Sequence, residues 1–291
     1  MGDDIRLSVA LVTCNRPSSL ARTLRSLREQ TIQPWETVIA DDSDDERARA
    51  VRSLADEFGC RYLAGPKRGL YANRNAAALA CGGTHIRTMD DDHTFPRDHL
   101  ERCLTAVAGD PDSVWIIGEF DAGEKRSGEI PPCPGQLHPR GFSVTPPDPQ
   151  DCWSIADGAT IYPRTIFDSG VRYAEEIAFG AVFLEFGGLL HWLGYRIRQL
   201  DTTYVVHHAD RSARAIDDPE LEQAARVFAM LCHSFLYQPT TRNKMLTCAQ
   251  IGRQLAASPV RATRRLSVGG RAFVARRAFG KALVNGRRAR P

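Results

Sequence analysis

Apolar and polar positions follow two rhythms over the first 120 residues. Short apolar runs at Leu7 to Cys14, Trp35 to Ala40, Arg61 to Ala64, His85 to Met89 and Ser113 to Gly118 read as strands, most of them closed by polar residues. Between them lie helical stretches: Pro17 to Gln30, with Pro17 suited to a first turn, the charged Asp44 to Phe58, the alanine-rich Leu70 to Cys81, and one starting near Pro96. Strand and helix in alternation, joined by short connections, predict an α/β protein with a mostly parallel, Rossmann-like sheet flanked by helices. Such sheets bind ligands outside the carboxyl ends of their strands.

The rhythm breaks between Asp121 and Gln150, where Pro, Gly and charge dominate, as in Ile130-Pro-Pro-Cys-Pro-Gly. Loops of that length serve as lids or binding loops, or stay flexible. Order resumes with a strand at Asp157 to Tyr162, an apolar helix at Phe179 to Leu193 and a strand at Thr203 to His207, and the chain beyond Asp210 reads as a helical extension.

Composition narrows the class. With 291 residues, 43% hydrophobic and 25% charged, the chain has the proportions of a globular protein. Its 38 basic and 35 acidic side chains leave a net charge of +3, concentrated only in the tail from Arg261 to Arg290, which is no nucleic-acid signature. Eight cysteines without a CxxC pair argue against a disulfide framework or a zinc site. The apolar run Ile177 to Tyr195 nears the length of a membrane span, but Glu185 and His191 interrupt it. The expected location is therefore the cytoplasm, with peripheral contact to the inner face of the membrane as an option.

The chemistry gathers at Thr88-Met-Asp-Asp-Asp-His-Thr-Phe-Pro, at the end of the fourth strand. Side chains alternate on extended backbone, so Asp90 and Asp92 point one way and Asp91 the other. Two carboxylates ~5 Å apart repel by roughly 3 kcal/mol at an effective dielectric near 20. A divalent cation would offset that, and magnesium takes one or two carboxylates while leaving positions for phosphate oxygens. The competing interpretation is a charged turn that caps the following helix.

Four motifs in order, Thr13-Cys-Asn-Arg-Pro, Ile39-Ala-Asp-Asp-Ser-Asp-Asp, Arg68-Gly-Leu-Tyr-Ala-Asn-Arg-Asn and Met89-Asp-Asp-Asp-His, make residues 5 to 210 resemble the nucleotide-sugar-dependent glycosyltransferases of family 2, which have the GT-A fold. The resemblance implies a catalytic unit at 1–210 (donor half about 1–120, flexible loop 121–150, acceptor half 151–210) and a basic helical extension at 211–291. It implies that Thr13, Asn15, Arg16, Asp41 and Asp42 hold the base and ribose of the donor. Arg74 would reach the nucleotide, Asp90 and Asp91 would contact the nucleotide sugar, and Asp90 and Asp92 would form the DxD pair that binds the metal, Asp92 directly. A histidine at the end of a later strand supplies a further ligand in some members, which brings in His207 or His208. Imidazole would favour Mn2+ over Mg2+. Because neighbouring residues on a strand face opposite ways, at most one of the two can serve.

The expected catalytic acids depart from the family pattern. Counting back from Gly194-Tyr-Arg-Ile, the acidic pair that supplies the base would fall on Val182-Phe183. Glu185 is the carboxylate inside the segment, and apolar surroundings would raise its proton affinity. Glu175 and Glu176 precede the helix and are the fallback candidates for the base, and Asp157 stands as a sugar or acceptor ligand. The reaction so implied is transfer of a sugar, UDP-linked in the commonest case, to an acceptor hydroxyl with inversion, the acceptor being a saccharide, a lipid-linked sugar or a small natural product.

Two other functions compete with it. Asp90-x-Asp92-x-Thr94 also satisfies the DxDxT motif of haloacid dehalogenase-type phosphohydrolases, although three strand-helix units precede it and Asp217-Asp218 is a poor second acidic pair. A noncatalytic nucleotide-sugar-binding protein is the other. The basic C-terminal helices suit either an anionic membrane surface or a packed face, on the catalytic unit or on a second subunit.

Overall fold

A computed structural model describes residues 5–123, 133, 135–209 and 218–288, with side chains as far as residue 283. Residues 124–132 and 134 of the predicted loop, and Asp217, lie outside the described residues. The elements run β1 (Leu7–Thr13), α1 (Pro17–Arg28), β2 (Glu36–Asp41), α2 (Asp45–Phe58), β3 (Arg61–Ala64), α3 (Leu70–Ala80), β4 (His85–Asp90), β5 (His93–Thr94), α4 (His99–Gly109) and β6 (Val114–Asp121). They continue with a small hairpin, β7 (Gln136–Leu137) and β8 (Ser143–Val144), then β9 (Ala159–Pro163), α5 (Thr165–Asp168), α6 (Val182–Trp192) and β10 (Ile197–His207). Three helices follow: α7 (Pro219–Cys232), α8 (Thr241–Ala257) after a π-helical turn at His233–Tyr237, and α9 (Pro259–Arg288).

Local chemistry explains the ends of these elements. Pro17 opens α1 at a position whose N–H would find no partner anyway. Asp44 caps α2 by accepting from the backbone N–H of Arg47, and Gly59 closes it at φ 65°. The apolar helix α6 starts three residues later than the hydrophobic pattern implies, because Gly180 turns the chain at φ 103° just before it.

The principal sheet has the order β3-β2-β1-β4-β9-β6-β10-β5. It is α/β as expected but mixed: four of its seven pairings are parallel, and β9 runs antiparallel to both neighbours, as β5 does to β10. A strand that returns without a helical crossover joins antiparallel, and among the described residues between β6 and β9 there is no helix. Alternation along β1 splits the core between two faces. Val9 and Leu11 pack with Leu20, Leu24 and Val51 of α1 and α2. Ala10 and Val12 pack in the cluster that holds Ala77, Phe186, Phe228 and Ala272 of α3, α6, α7 and α9. All eight cysteines are free. No described helix is long and apolar enough to cross a membrane.

Candidate active site

Strand register assembles the site. Thr13 at the end of β1 stands opposite Asp41, and Val12 opposite Asp90. Because β9 runs the other way, with Met89 paired to Ala159, its lead-in residues Asp157 and Gly158 reach the same edge. Gly158 lies so close that an added Cβ would stand 2.4 Å from Oδ2 of Asp90. Two more strands bring His207 opposite His93. At this edge opens a cavity of about 680 Å³ whose walls include Thr13, Arg16, Asp42, Asp90, Asp92 and His207. That size suits a nucleotide-sized ligand.

Within the acidic triplet, Asp90 and Asp92 reach the cavity. Asp91 is fully buried, accepting from the Thr13 hydroxyl at 2.6 Å and from Arg16. Asp90 and Asp92 share the cavity as expected, although β4 ends at Asp90 and the turn after it, not strand alternation, carries Asp91 and Asp92; the repulsion is offset by the chain itself. Arg74, 1% exposed, bridges Asp90 and Asp157 at 2.8 Å each. Arg16 bridges Asp91 and Asp92, the latter at 2.8 Å. All three acids of the triplet thus have a cationic partner within the chain, and Arg74 faces Asp90 and Asp157 instead of the open cavity.

Among the described residues, the group whose ligand atoms converge closely enough for a metal is a different set. Ligand atoms of Asp92, His93 and His207 lie within 4.8 Å of one another. The Nε2 of His207 is 3.5 Å from Asp92 Oδ2, and that of His93 is 3.8 Å from Oδ1. One carboxylate with two imidazoles is a donor set that fits a transition ion such as Mn2+ better than Mg2+. The sequence pointed at Asp90, Asp92, His207 and His208. Of the histidines the structure brings His207 to Asp92, whereas His208 turns away to Thr94 Oγ1 at 2.8 Å. His93, outside the predicted set, takes the other place.

The charges are tuned by burial and by each other. Burial works to raise Asp92, but the His207 hydrogen bond, the charge of Arg16 and, at the acid pH where His93 is protonated, the charge of that imidazole hold it well below the usual carboxylate range. The hydrogen bond to Asp92, opposed by burial, pushes His207 up to about 9. Burial brings His93 down to about 4, so its imidazole is neutral at pH 7 with a lone pair to offer. An ion entering the cluster must displace the His207 proton.

Other sequence candidates fall elsewhere. Asp42 lines the cavity and accepts from the Lys67 backbone N–H at 2.9 Å. Asp41 is buried, its carboxylate taken by the Ser43 N–H and the Tyr62 hydroxyl. Asn15 is outside the cavity wall and accepts from the Asp44 N–H at 2.9 Å. The proposed base Glu185 is sealed inside: fully buried, it pairs with Arg276 at 2.9 Å and accepts from Tyr237. A carboxylate so engaged cannot meet an acceptor in the cavity. Glu176 is exposed and lines neither this cavity nor the one beside it.

Two further acidic groups line the cavity, Asp157 and Glu119. Asp157 is pushed up to about 6 by burial, against the pull of Arg74. Glu119, one-third exposed on β6, is pushed up to about 7, first by burial and then by the nearby carboxylates, while His207 pulls it down. Glu119 escaped the sequence reading, although a lone acid ending an apolar strand is the signal that exposed Asp90. A second cavity of about 460 Å³ adjoins the first, and Asp157, Ser143, Phe179 and Phe183 line both. Phe183 occupies a position where the resemblance would have put an acid.

Comparisons with known proteins agree with this geometry. The model of the family described as Glycosyl transferase family 2 matches residues 8–170, more than half of the chain. The chain is 30% identical over 125 residues to an uncharacterized glycosyltransferase, YwdF, of Bacillus subtilis, covering 43% of this chain and 46% of that protein. It is 28% identical over 121 residues to the glucosyl-dolichyl phosphate glucuronosyltransferase of Haloferax volcanii, 38% of each. It thus spans less than half the length of these curated relatives. Among solved structures, S. aureus TarS 1-349 in complex with UDP-GlcNAc superposes with a TM-score of 0.62 at 15% identity, covering 92% of this chain and 82% of that one. GalNAc-T7 with UDP, GalNAc and Mn2+ gives 0.60 at 15% identity, covering 77% and 48%. At these identities the likeness is one of fold.

Proposed function

The chain belongs to glycosyl transferase family 2, and from that premise we propose that it transfers a sugar from a nucleoside diphosphate sugar, a UDP-sugar in the first instance, to an acceptor hydroxyl with inversion. The observation that carries the reading is the pair of adjoining cavities: the Asp92, His93 and His207 cluster stands in the first, and Asp157 lies on the wall common to both.

In this mechanism Thr13, Arg16 and Asp42 border the nucleotide. Asp92, His93 and His207 would hold a divalent ion, which when bound would neutralise charge on the diphosphate leaving group. Glu119 and Asp121 stand 3.9 and 3.8 Å from Nδ1 of His207, on the side away from Asp92, and orient that imidazole. Arg74 and the Tyr71 hydroxyl fix the Asp157 carboxylate, Tyr71 at 3.2 Å. Asp157 takes the proton of the acceptor hydroxyl as that oxygen attacks the anomeric carbon from the second cavity. A single displacement of this kind inverts the centre. Phe179 and Phe183 offer apolar faces to an acceptor there, with Glu222 and Arg226 at the rim.

A panel of nucleoside diphosphate sugars assayed for Mn2+-dependent cleavage tests the reading. Release of the nucleoside diphosphate from one of them, lost in Asp157→Asn when an acceptor is supplied, is the expected result. Tight binding of a nucleotide sugar with no turnover under any metal would leave a noncatalytic binding protein. Cleavage of phosphomonoesters instead would make Asp90 a nucleophile.

A further inference from the structure

The chain is electrically divided. Its first 222 residues carry 24 basic against 35 acidic side chains, whereas residues 223–291 carry 14 Lys and Arg and neither an Asp nor a Glu. Within that acid-free segment α9 has an inner and an outer face. On the inner face Ala262, Ala272 and Arg276 are buried. At Gly269 the approach to α7 is so close that an added Cβ would stand 2.7 Å from the Ala224 carbonyl oxygen. The inward arginines are matched: Arg265 pairs with Glu220 and Arg276 with Glu185.

The outer face is built differently. At 3.6 residues per turn, Val260, Arg264, Arg271, Val274 and Lys281 fall within about 100° of one another. All five are exposed, Val260 by 82% and Val274 by 66%. Exposed Arg261 and Arg277 flank the stripe, and α8 adds exposed Arg242, Lys244 and Met245. From Val260 to Lys281 the row extends ~32 Å along the helix.

We propose that this outer face of α9 docks on an anionic phospholipid bilayer, its arginines and Lys281 meeting headgroup phosphates while Val260 and Val274 enter the headgroup boundary. Charge complementarity selects the occupant, because a long cationic row with no acidic side chain of its own segment matches a continuous sheet of anions. The valines between the cations argue for a bilayer over nucleic acid, since a phosphate backbone would leave them in water. Val260, Val274 and Met245, scattered among cations, are too little apolar surface for the centre of a stable interface with a second copy, which needs roughly 800 Å² per partner. With so little apolar insertion the contact is mainly electrostatic, reversible and salt-sensitive. The proposal goes beyond the transfer reading and stands without it.

Flotation of the full chain with vesicles tests it. Vesicles of phosphatidylglycerol and phosphatidylcholine in equal parts should carry the protein up at low salt, and vesicles of phosphatidylcholine alone should not. At about five-fold in affinity per cation near the surface, the triple variant Arg264→Glu, Arg271→Glu, Lys281→Glu should bind at least ~100-fold more weakly, with its circular dichroism and melting unchanged. Val274→Asp, which leaves every cation in place, should weaken binding by a smaller factor. Equal flotation with both vesicle types overturns the proposal, as does tighter binding to double-stranded DNA than to the anionic vesicles at the same salt. So does a wild-type dimer in sedimentation that the triple variant dissolves while no vesicle binds.

Discussion

The carboxyl edge of the sheet and the junction of α6 with α9 each bury an acid against an arginine. Asp92 meets Arg16 at 2.8 Å and Glu185 meets Arg276 at 2.9 Å. Each has a further donor, His207 for Asp92 and Tyr237 for Glu185. The difference is what lies beside them. Asp92 lines a cavity of about 680 Å³ and shares its neighbourhood with two imidazoles, whereas Glu185 is closed in by two helices and the π-helical turn. Burial and charge pairing alone therefore do not mark a working group; an adjoining space for a ligand does.

The most severe break in the comparison should come from Asp92→Asn. If the open edge is the working one, Mn2+ should give no binding heat, and donor cleavage should fall on the order of a thousand-fold, similar to losing one well-placed charge-stabilising group. Next in size is Glu185→Gln at the sealed junction. Breaking a buried ion pair from one side costs about 3–5 kcal/mol of stability, read by denaturant unfolding, while the rate per folded molecule should not change. Glu185→Leu combined with Arg276→Met removes both charges and should recover most of that loss. Were Glu185→Gln to abolish turnover at wild-type stability, the two regions would have to exchange roles.

The sealed side has a pH signature as well. His233 is 1% exposed in the turn after α7, and burial brings it down to about 4, with His138 adding to the effect. The unfolded chain takes up that proton near pH 6.5 and the folded one only near 4. Above 6.5 the group costs nothing; as pH falls from 6.5 toward 4 stability drops, by about 3 kcal/mol at 1.36 kcal/mol per pH unit. His233→Asn should flatten that part of the stability profile. A profile unaltered by the substitution would place its cause elsewhere, for instance at the buried His99, which burial also holds well below the usual range.

The two regions also differ in how far sequence revealed them. The edge was legible because polar residues that end apolar strands are local signals: Thr13, Asp42, the pair Asp90 and Asp92, and His207 stand at the ends of four separate runs, and the topology then gathers them. The direction of β9 was not legible, since it depends on how the chain returns from 121–158 and not on any periodicity within the strand. Glu185 was misread for a related reason. Its apolar neighbours were visible, but its partner Arg276 is 91 residues away on a helix whose basic pattern looked like surface. Arg74 was likewise hidden between two acids, one of them Asp157 from beyond the long loop.

The smallest test asks whether every sequence-named residue on the open edge belongs to its ligand. Asn15 follows β1 between Cys14 and Arg16, which both line the cavity, yet its own side chain accepts from the Asp44 N–H and its backbone N–H donates to Ser43 Oγ at 2.7 Å. Its φ is 60°, a region open to Asn and Gly and costly for other residues. Asn15→Gly keeps the backbone and removes one hydrogen bond, so it should cost about 0.5–1 kcal/mol of stability and leave the donor KM unchanged. Asn15→Ala removes the same bond and adds roughly 1 kcal/mol or more of backbone strain. The gap between the two variants isolates the turn from the side chain. If Asn15→Gly instead raised the donor KM tenfold at unaltered stability, the cavity would extend past Cys14, and a residue now assigned to holding α2 in place would join those that meet the ligand.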